Sequence, residues 1–284
     1  MLYAAVIGVG SMGRNHARIY SQLENANLVA VSDVNGRIAR QVSLEFKTKG
    51  YTDYREMLDK ERIDVVSVVV PGSLHKEVAI DVINKGISVL VEKPIATDID
   101  GARAIVDAAK EKNVKLMVGH VERFNPAIIE LKRCLENNKL GDIFKIIVAR
   151  IGPFPTRIID MGVIRDLSLH DIDIINYLIG LKPKRIYAET HQLLNQKYYD
   201  SLTALMRYES DISVMLNISY LSPKKIRELY VFGEKGMLKV NYITQELIFY
   251  GNPSYDSKEH PSRAFKGVSE GKEVLMNVEK KSLC

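Results

Sequence analysis

The first 33 residues constrain this chain more than any other stretch. Leu2 to Ile7 is an apolar run, Gly8-Val9-Gly10-Ser11-Met12-Gly13 follows, and a helix-like segment continues to Leu23. A second apolar run, Leu28 to Val31, ends at Ser32-Asp33, so an acid stands twenty residues beyond the third glycine. Strand, glycine turn, helix, strand and acid in that order follow the logic of a dinucleotide site. Gly8 permits the tight turn, Gly10 lets the backbone approach a pyrophosphate, and Gly13 lets the helix pack on the strand. The free N–H groups and positive dipole end of the helix then face the phosphates. Ser11 and Met12, inside the turn, join the glycines as cofactor-binding candidates. The plainer reading, a glycine turn in an ordinary α/β protein, has to account for the strand, helix and acid all falling in place. Asp33 is expected to accept hydrogen bonds from the adenosine ribose and to repel a 2′-phosphate, which favours NAD over NADP. Arg37 and Arg40 follow closely and soften that preference, though both also read as solvent-facing helix charges.

Strand and helix patterns keep alternating to about residue 120, which indicates a parallel sheet with helices on both faces. Residues 35–46 and 54–58 read as helices. Asp64 to Val70 is a β-branched run too continuous to have a wet face, so it reads as a central buried strand. Pro71-Gly72 ends it, and a helix is expected over 73–84. A second buried strand, 87–91, ends at Glu92-Lys93-Pro94. Thr97 or Asp98 can cap a helix over 99–112, and 116–118 is one more strand.

The pattern then changes. A helix is expected from Pro126 to about Asn137, a longer strand over 143–151, a Gly/Pro-rich loop over 152–156 and a helix over 163–179. From Lys182 the period is mostly two, with strands near 185–191, 200–207, 211–219, 226–232, 237–241 and 246–250, the signature of an antiparallel sheet. No structure is assigned to 252–284. The expected architecture is a doubly wound Rossmann domain over 1–120, followed by an α+β domain over 121–284 with an open-faced, largely antiparallel sheet. The outer face of that sheet is rich in Ile, Leu, Val and Tyr, so a homodimer or homotetramer joined through it is expected.

Composition removes several functions. With 284 residues the chain has room for two cores. The net charge of +5 is not gathered into a basic tract, which argues against nucleic acid as partner. No apolar run is long enough for a membrane span, and Leu2 enters a strand directly, so no membrane partner and a cytoplasmic location are expected. Cys134 and Cys284 lie far apart and read as reduced thiols. No His/Cys/carboxylate group has ligand spacing, so no metal is expected.

In an open parallel sheet, ligands lie beyond the C-terminal strand ends. Those ends carry Gly8, Asp33, Pro71, Lys93 (with Glu92 before it) and His120. A lysine there can hydrogen-bond a substrate hydroxyl, or be a surface loop lysine. Asp166 and His170 are four apart on one expected helix, and Asp173 is three further along that face. An imidazole beside carboxylates can take a proton from an alcohol, and a salt-bridged surface histidine is equally compatible with that spacing. His75, near the expected nicotinamide end, is a cofactor or substrate contact candidate, while His16 reads as local packing. Arg123, Arg150 and Arg157 can bind an anionic substrate through forked hydrogen bonds, or be surface charges.

Taken together, Gly8-x-Gly10-x-x-Gly13-x-x-His16-Ala17, Glu92-Lys93-Pro94 and Asp166-x-x-x-His170 resemble the glucose–fructose oxidoreductase/inositol dehydrogenase/rhizopine-catabolism family over most of the chain. The resemblance implies a Rossmann domain paired with an open-faced sheet domain, and NAD(P)-dependent redox chemistry on sugars and polyols. It casts Lys93, Asp166 and His170 as catalytic. Within the family, Gly119-His120-x-Glu122-Arg123-Phe124-Asn125-Pro126, Ile151-Gly152-Pro153-Phe154-Pro155-x-Arg157 and the run Asp160 to Asp173 are similar to a branch acting on nucleotide sugars. That likeness implies a small-molecule substrate such as UDP-N-acetylglucosamine, oxidised at C3, with His120, Arg123, Asn125 and Arg157 beside Asp166 and His170 as substrate-binding candidates. A free-polyol dehydrogenase and a non-catalytic NAD sensor are the alternatives. Family members usually continue past the last strand into helices that return to the Rossmann domain. Here the sequence stops at Cys284, so a shortened C-terminus is expected.

Overall fold

The computed structural model describes residues 1–155, 162–253 and 270–279. The chain forms two compact units, one of residues 1–120 and one from Val121 onward.

The first unit holds β1 (Leu2–Ile7), α1 (Ser11–Gln22), β2 (Ala26–Ser32), α2 (Gly36–Glu45), β3 (Lys49–Tyr51), α3 (Tyr54–Lys60), β4 (Val65–Val68), α4 (His75–Asn84), β5 (Ser88–Val91), α5 (Ile99–Glu111) and β6 (Leu116–Val118). The strands are ordered β3-β2-β1-β4-β5-β6 and every pair is parallel. The β-branched run places Val66 and Val68 wholly out of solvent, beside Val89 and Val91 of β5, because helices cover both faces of this sheet. Strand β3 is not evident from sequence, since three residues with a central glycine carry no period.

Helix starts follow local chemistry. The Asn35 side chain accepts from the Arg37 and Ile38 N–H groups, Asp53 from Arg55, and Asp98 from Gly101. Asp98, not Thr97, is therefore the cap of α5.

The second unit holds α6 (Pro126–Glu136), β7 (Ile143–Ile151), α7 (Leu169–Ile179), β8 (Pro183–His191), β9 (Ser201–Tyr208), β10 (Ser213–Ser219), β11 (Ile226–Gly233), β12 (Gly236–Asn241), β13 (Glu246–Gly251) and β14 (Glu273–Leu275). Their order is β14-β13-β12-β11-β7-β10-β9-β8. All pairs are antiparallel except β7 with β10, which run parallel in the middle of the sheet. Strand β14 falls in the polar tail to which sequence assigned nothing; it pairs with residues 248–250 of β13.

The core of this unit lies between one sheet face and helices α6 and α7. Ile128, Leu131, Ile174 and Ile175 meet Ile146, Val148, Leu216 and Leu229, all buried. On β9, Leu202, Ala204, Met206 and Tyr208 face this core while Leu205 points the other way. Tyr187, Leu205 and Met215 are register neighbours on that outer face and all are exposed.

One element departs from expectation. The helix over 163–179 opens with a π turn, Ile164–Ser168, before α7 begins. The Ser168 hydroxyl donates to the Ile164 carbonyl and so competes for an acceptor of the regular ladder. Widened turns of this kind recur at functional sites, and Asp166 sits inside this one.

Candidate active site

In the first unit, the turn between β1 and α1 is made by backbone. Gly8 holds φ +84°, and a Cβ there would stand 2.6 Å from the Val69 carbonyl oxygen. A Cβ on Gly13 would stand 1.8 Å from the Gly8 carbonyl oxygen, whereas one on Gly10 would meet nothing within 4 Å. Gly8 and Gly13 are thus required by the fold, and Gly10 leaves open space in front of the backbone. Helix α1 begins without a side-chain cap, so no side chain of its own competes for its first N–H groups. Ser11 and Met12 are exposed on that first turn. Asp33 lies against the same turn: its carboxylate accepts from Val9 N–H at 3.0 Å and Asn35 N–H at 2.9 Å.

Beyond β4 and β5 the chain is pinned by two histidines. His16 reaches from α1 to Ser67 Oγ and to Glu92 Oε1, each at 3.1 Å. Burial by itself would raise the Glu92 carboxyl. The hydrogen bond and charge of His16, with the Lys93 N–H, outweigh it and hold the group below the usual carboxylate range. Lys93 follows directly, half-buried, joined to Pro94 by a cis peptide bond. His75 is tied to backbone. It is 1% exposed, and its ring nitrogens lie 2.7 Å from the Pro94 carbonyl and 2.9 Å from the Val70 carbonyl. Both nitrogens are taken up by backbone, so His75 holds two strand-end loops together. Pro71 starts the short 3₁₀ turn that leads into it.

In the second unit, Asp166 and His170 flank the passage from π turn to α7, both half-buried. Asp166 accepts a hydrogen bond from the Tyr220 hydroxyl at 2.6 Å. Burial, then that contact, push the phenol well above its ordinary range. Asp173 takes a two-pronged ion pair from Arg123, whose guanidinium also lies over the Tyr177 ring. Arg123 is therefore already engaged by a carboxylate of its own unit. Asn125 is fully buried and caps α6: its side chain accepts from Ala127 N–H and donates to the Tyr242 carbonyl. His120 ends the first unit, half-buried. Arg157 lies outside the described residues.

Sequence did not foresee the densest charge cluster. Arg150, 2% exposed, donates to Asp171 at 2.7 Å and to Glu122 at 3.1 Å, and stacks over Tyr242. Burial opposes its charge, yet the two carboxylates hold the guanidinium above its ordinary range. Burial pushes the Asp171 carboxyl up, and Arg150 reverses only part of that rise. A signal existed: Arg150 continues the inward positions Ile146 and Val148 of β7. Beside it opens a pocket of about 400 Å³ lined by Arg150, Phe154, Asp166, Tyr220, Lys225 and Arg227, with residues 151–153, Pro155 and Leu167.

Residues 2–120 match the model of an oxidoreductase family with an NAD-binding Rossmann fold, and residues 128–239 match the GFO/IDH/MocA C-terminal domain. The chain belongs to the GFO/IDH/MocA oxidoreductase family. A UDP-N-acetylglucosamine 3-dehydrogenase from Acidithiobacillus ferrooxidans is 30% identical over 245 residues, covering 86% of this chain and 75% of that protein. The NAD-dependent scyllo-inositol 2-dehydrogenase of Bacillus subtilis is 32% identical, over 73% of this chain and 63% of that one. A solved structure of the Acidithiobacillus enzyme superposes with a TM-score of 0.85 at 27% identity, covering 99% of this chain and 84% of that chain.

The protein is thus an oxidoreductase with NAD as its cofactor, and the first unit fits that cofactor. Open space before Gly10, a helix start free of its own cap, and the Asp33 carboxylate beside the turn are the features a dinucleotide needs. No group of three or more His, Cys, Asp or Glu residues suited to a metal occurs among the described residues. No helix among them is long and apolar enough to cross a membrane.

Proposed function

We propose that the protein oxidises a ring secondary alcohol of a sugar to a ketone, on a nucleotide sugar such as UDP-N-acetylglucosamine at C3. The observation that carries this reading is the second unit's pocket, which sets the carboxylate of Asp166 and the hydroxyl of Tyr220 among three cationic side chains. A polar, cation-rich pocket suits an anionic sugar derivative better than a bare polyol. The similarity to a UDP-N-acetylglucosamine 3-dehydrogenase supports the same substrate class.

In this mechanism bound NAD supplies the hydride acceptor. His170 accepts the hydroxyl proton as the carbinol hydrogen leaves as hydride with the C–H electron pair, and the O–H electron pair closes the carbonyl. Lys93 donates a hydrogen bond to the same oxygen, aligning it and stabilising its developing negative charge. Asp166 orients His170 or the sugar. Lys93 belongs to the first unit and the pair Asp166/His170 to the second. The protein is further proposed to be cytoplasmic and to assemble as a homodimer or homotetramer through the apolar row of Tyr187, Leu205 and Met215. Only monomer in light scattering at micromolar concentration would overturn that assembly.

The decisive experiment is an NAD-reduction screen across nucleotide sugars and free polyols, with the keto carbon located by NMR. Lys93→Met and His170→Ala are each expected to cut kcat by about 10²-fold or more while NAD affinity stays within a few fold. Unchanged turnover in either variant would remove that residue from the mechanism. A second reading, an inositol-type dehydrogenase, is supported by the Bacillus relative. Activity that requires the UDP moiety would exclude it.

A further inference from the structure

The strand register of the second unit sets two arginines face to face. Arg227 of β11 is the direct antiparallel partner of Arg150 of β7. They continue the inward row in which Leu229 opposes Val148 and Val231 opposes Ile146, so both side chains leave the same face of the sheet. Like charges directly opposite each other destabilise a sheet, and a row that is otherwise aliphatic gives them little solvent to share. Arg150 is reconciled by its own carboxylates, Asp171 and Glu122. Arg227 and its neighbour Lys225 have no ion-pair partner among the described residues, and both line the pocket. One Arg150 nitrogen, Nη2, is buried without a hydrogen-bond partner among the described residues.

The surrounding carboxylates do not cancel this field. Asp166 also lines the pocket, and Glu122 and Asp171 lie behind Arg150. Even so, Arg227 is held below its ordinary range, by burial and then by Arg150, with Glu122, Asp171 and Asp166 opposing. Lys225 is lowered too, by Arg227 first, then burial and Arg150, with Glu122 opposing. Arg227 is half-buried and faces the pocket without a carboxylate ion-pair partner among the described residues, and Lys225 stands exposed at its rim.

We propose that Arg227 and Lys225, with Arg150 behind them, form an anion subsite that holds phosphoryl or carboxylate oxygens of the substrate. This inference rests on the sugar-oxidation reading and deepens it: the subsite makes the substrate obligatorily anionic and ranks a neutral polyol as a poor one. The guanidinium fork of Arg227 matches two oxygens of a phosphate or carboxylate, and Lys225 adds a point charge at the pocket rim. A diphosphate of a nucleotide sugar and the carboxylate of a free sugar acid present the same chemistry here.

The test is calorimetric titration of the full chain with three probes: UDP, inorganic pyrophosphate and glucuronate. Wild type, Arg227→Gln, Arg227→Lys, Lys225→Gln and the exposed control Arg133→Gln are compared. The subsite predicts that at least one probe binds wild type, that Arg227→Gln weakens it about tenfold or more, and that Lys225→Gln weakens it less. Arg227→Lys should recover part of the loss, and Arg133→Gln should match wild type. Whichever probe binds best names the source of the anion. Binding of none of the three to wild type, or equal binding by wild type and both Gln variants, would overturn the proposal. So would a neutral polyol oxidised by wild type with a kcat/KM equal to that of the best anionic sugar. UDP binding that follows the predicted order, without NAD reduction on any sugar, would support the subsite and overturn the oxidation reading instead.

Discussion

The two units build their sites from opposite materials. In the first, the site is backbone: a turn whose shape Gly8 and Gly13 enforce, an uncapped helix start, and one carboxylate lying against it. In the second, the site is side chains: Arg150 and Asp171 buried together, Glu122 beside them, Arg227 half-buried on β11 and Lys225 exposed at the rim. A backbone site depends on the absence of atoms and is ruined by adding one. A side-chain site depends on matched charges and is ruined by removing one.

The sharpest break of that contrast is Gly13→Ala. Its new methyl would need the space of the Gly8 carbonyl oxygen, so a loss above about 4 kcal/mol in unfolding free energy, or failure to fold, is expected. A near-normal denaturant midpoint would show that the turn can relax. Next comes Asp171→Ala, which strands the buried Arg150 guanidinium; about 3–5 kcal/mol of stability should be lost, measured in urea. Gly10→Ala should separate fold from ligand. Stability should stay within about 0.5 kcal/mol because nothing lies within 4 Å of the added carbon. NAD affinity should fall about tenfold, and unchanged affinity would mean the dinucleotide passes elsewhere.

The smallest effect concerns Glu92. Its carboxyl is held lower in the folded protein than in the unfolded chain. Its contribution is therefore complete above the ordinary carboxylate pKa and disappears as pH falls through the lowered value. Glu92→Gln should flatten that acid limb by about 1 kcal/mol. An acid limb with the same slope in wild type and variant would assign the acid sensitivity to other groups, such as Asp200, which takes three backbone N–H bonds.

Legibility in the sequence followed the same division. The parallel sheet, the glycine turn, Asp33 and the strand-end position of Lys93 were readable because each rests on neighbours within a few dozen residues. A cap at Thr97 or Asp98 and the period-two strands of the second half were readable for the same reason. The roles of His75, Asn125 and Arg123 were not. A histidine locked by the Pro94 and Val70 carbonyls, an asparagine capping α6 and an arginine paired with Asp173 look in sequence like polar residues near a cleft. Only the fold shows their partners.

The sequence by itself determined two folded units, the class of each, and a glycine turn placed between the first strand and the first helix. Tertiary structure decided where charge collects. Arg150 and Arg227 are 77 residues apart, yet strand pairing opposes them in one register. Period-two alternation tells which way a side chain points, but the residue it faces across the ladder is set by which strands become neighbours. That choice depends on burying Ile146, Val148, Leu229 and Val231 together in a single core, a cooperative result that no short stretch of chain contains.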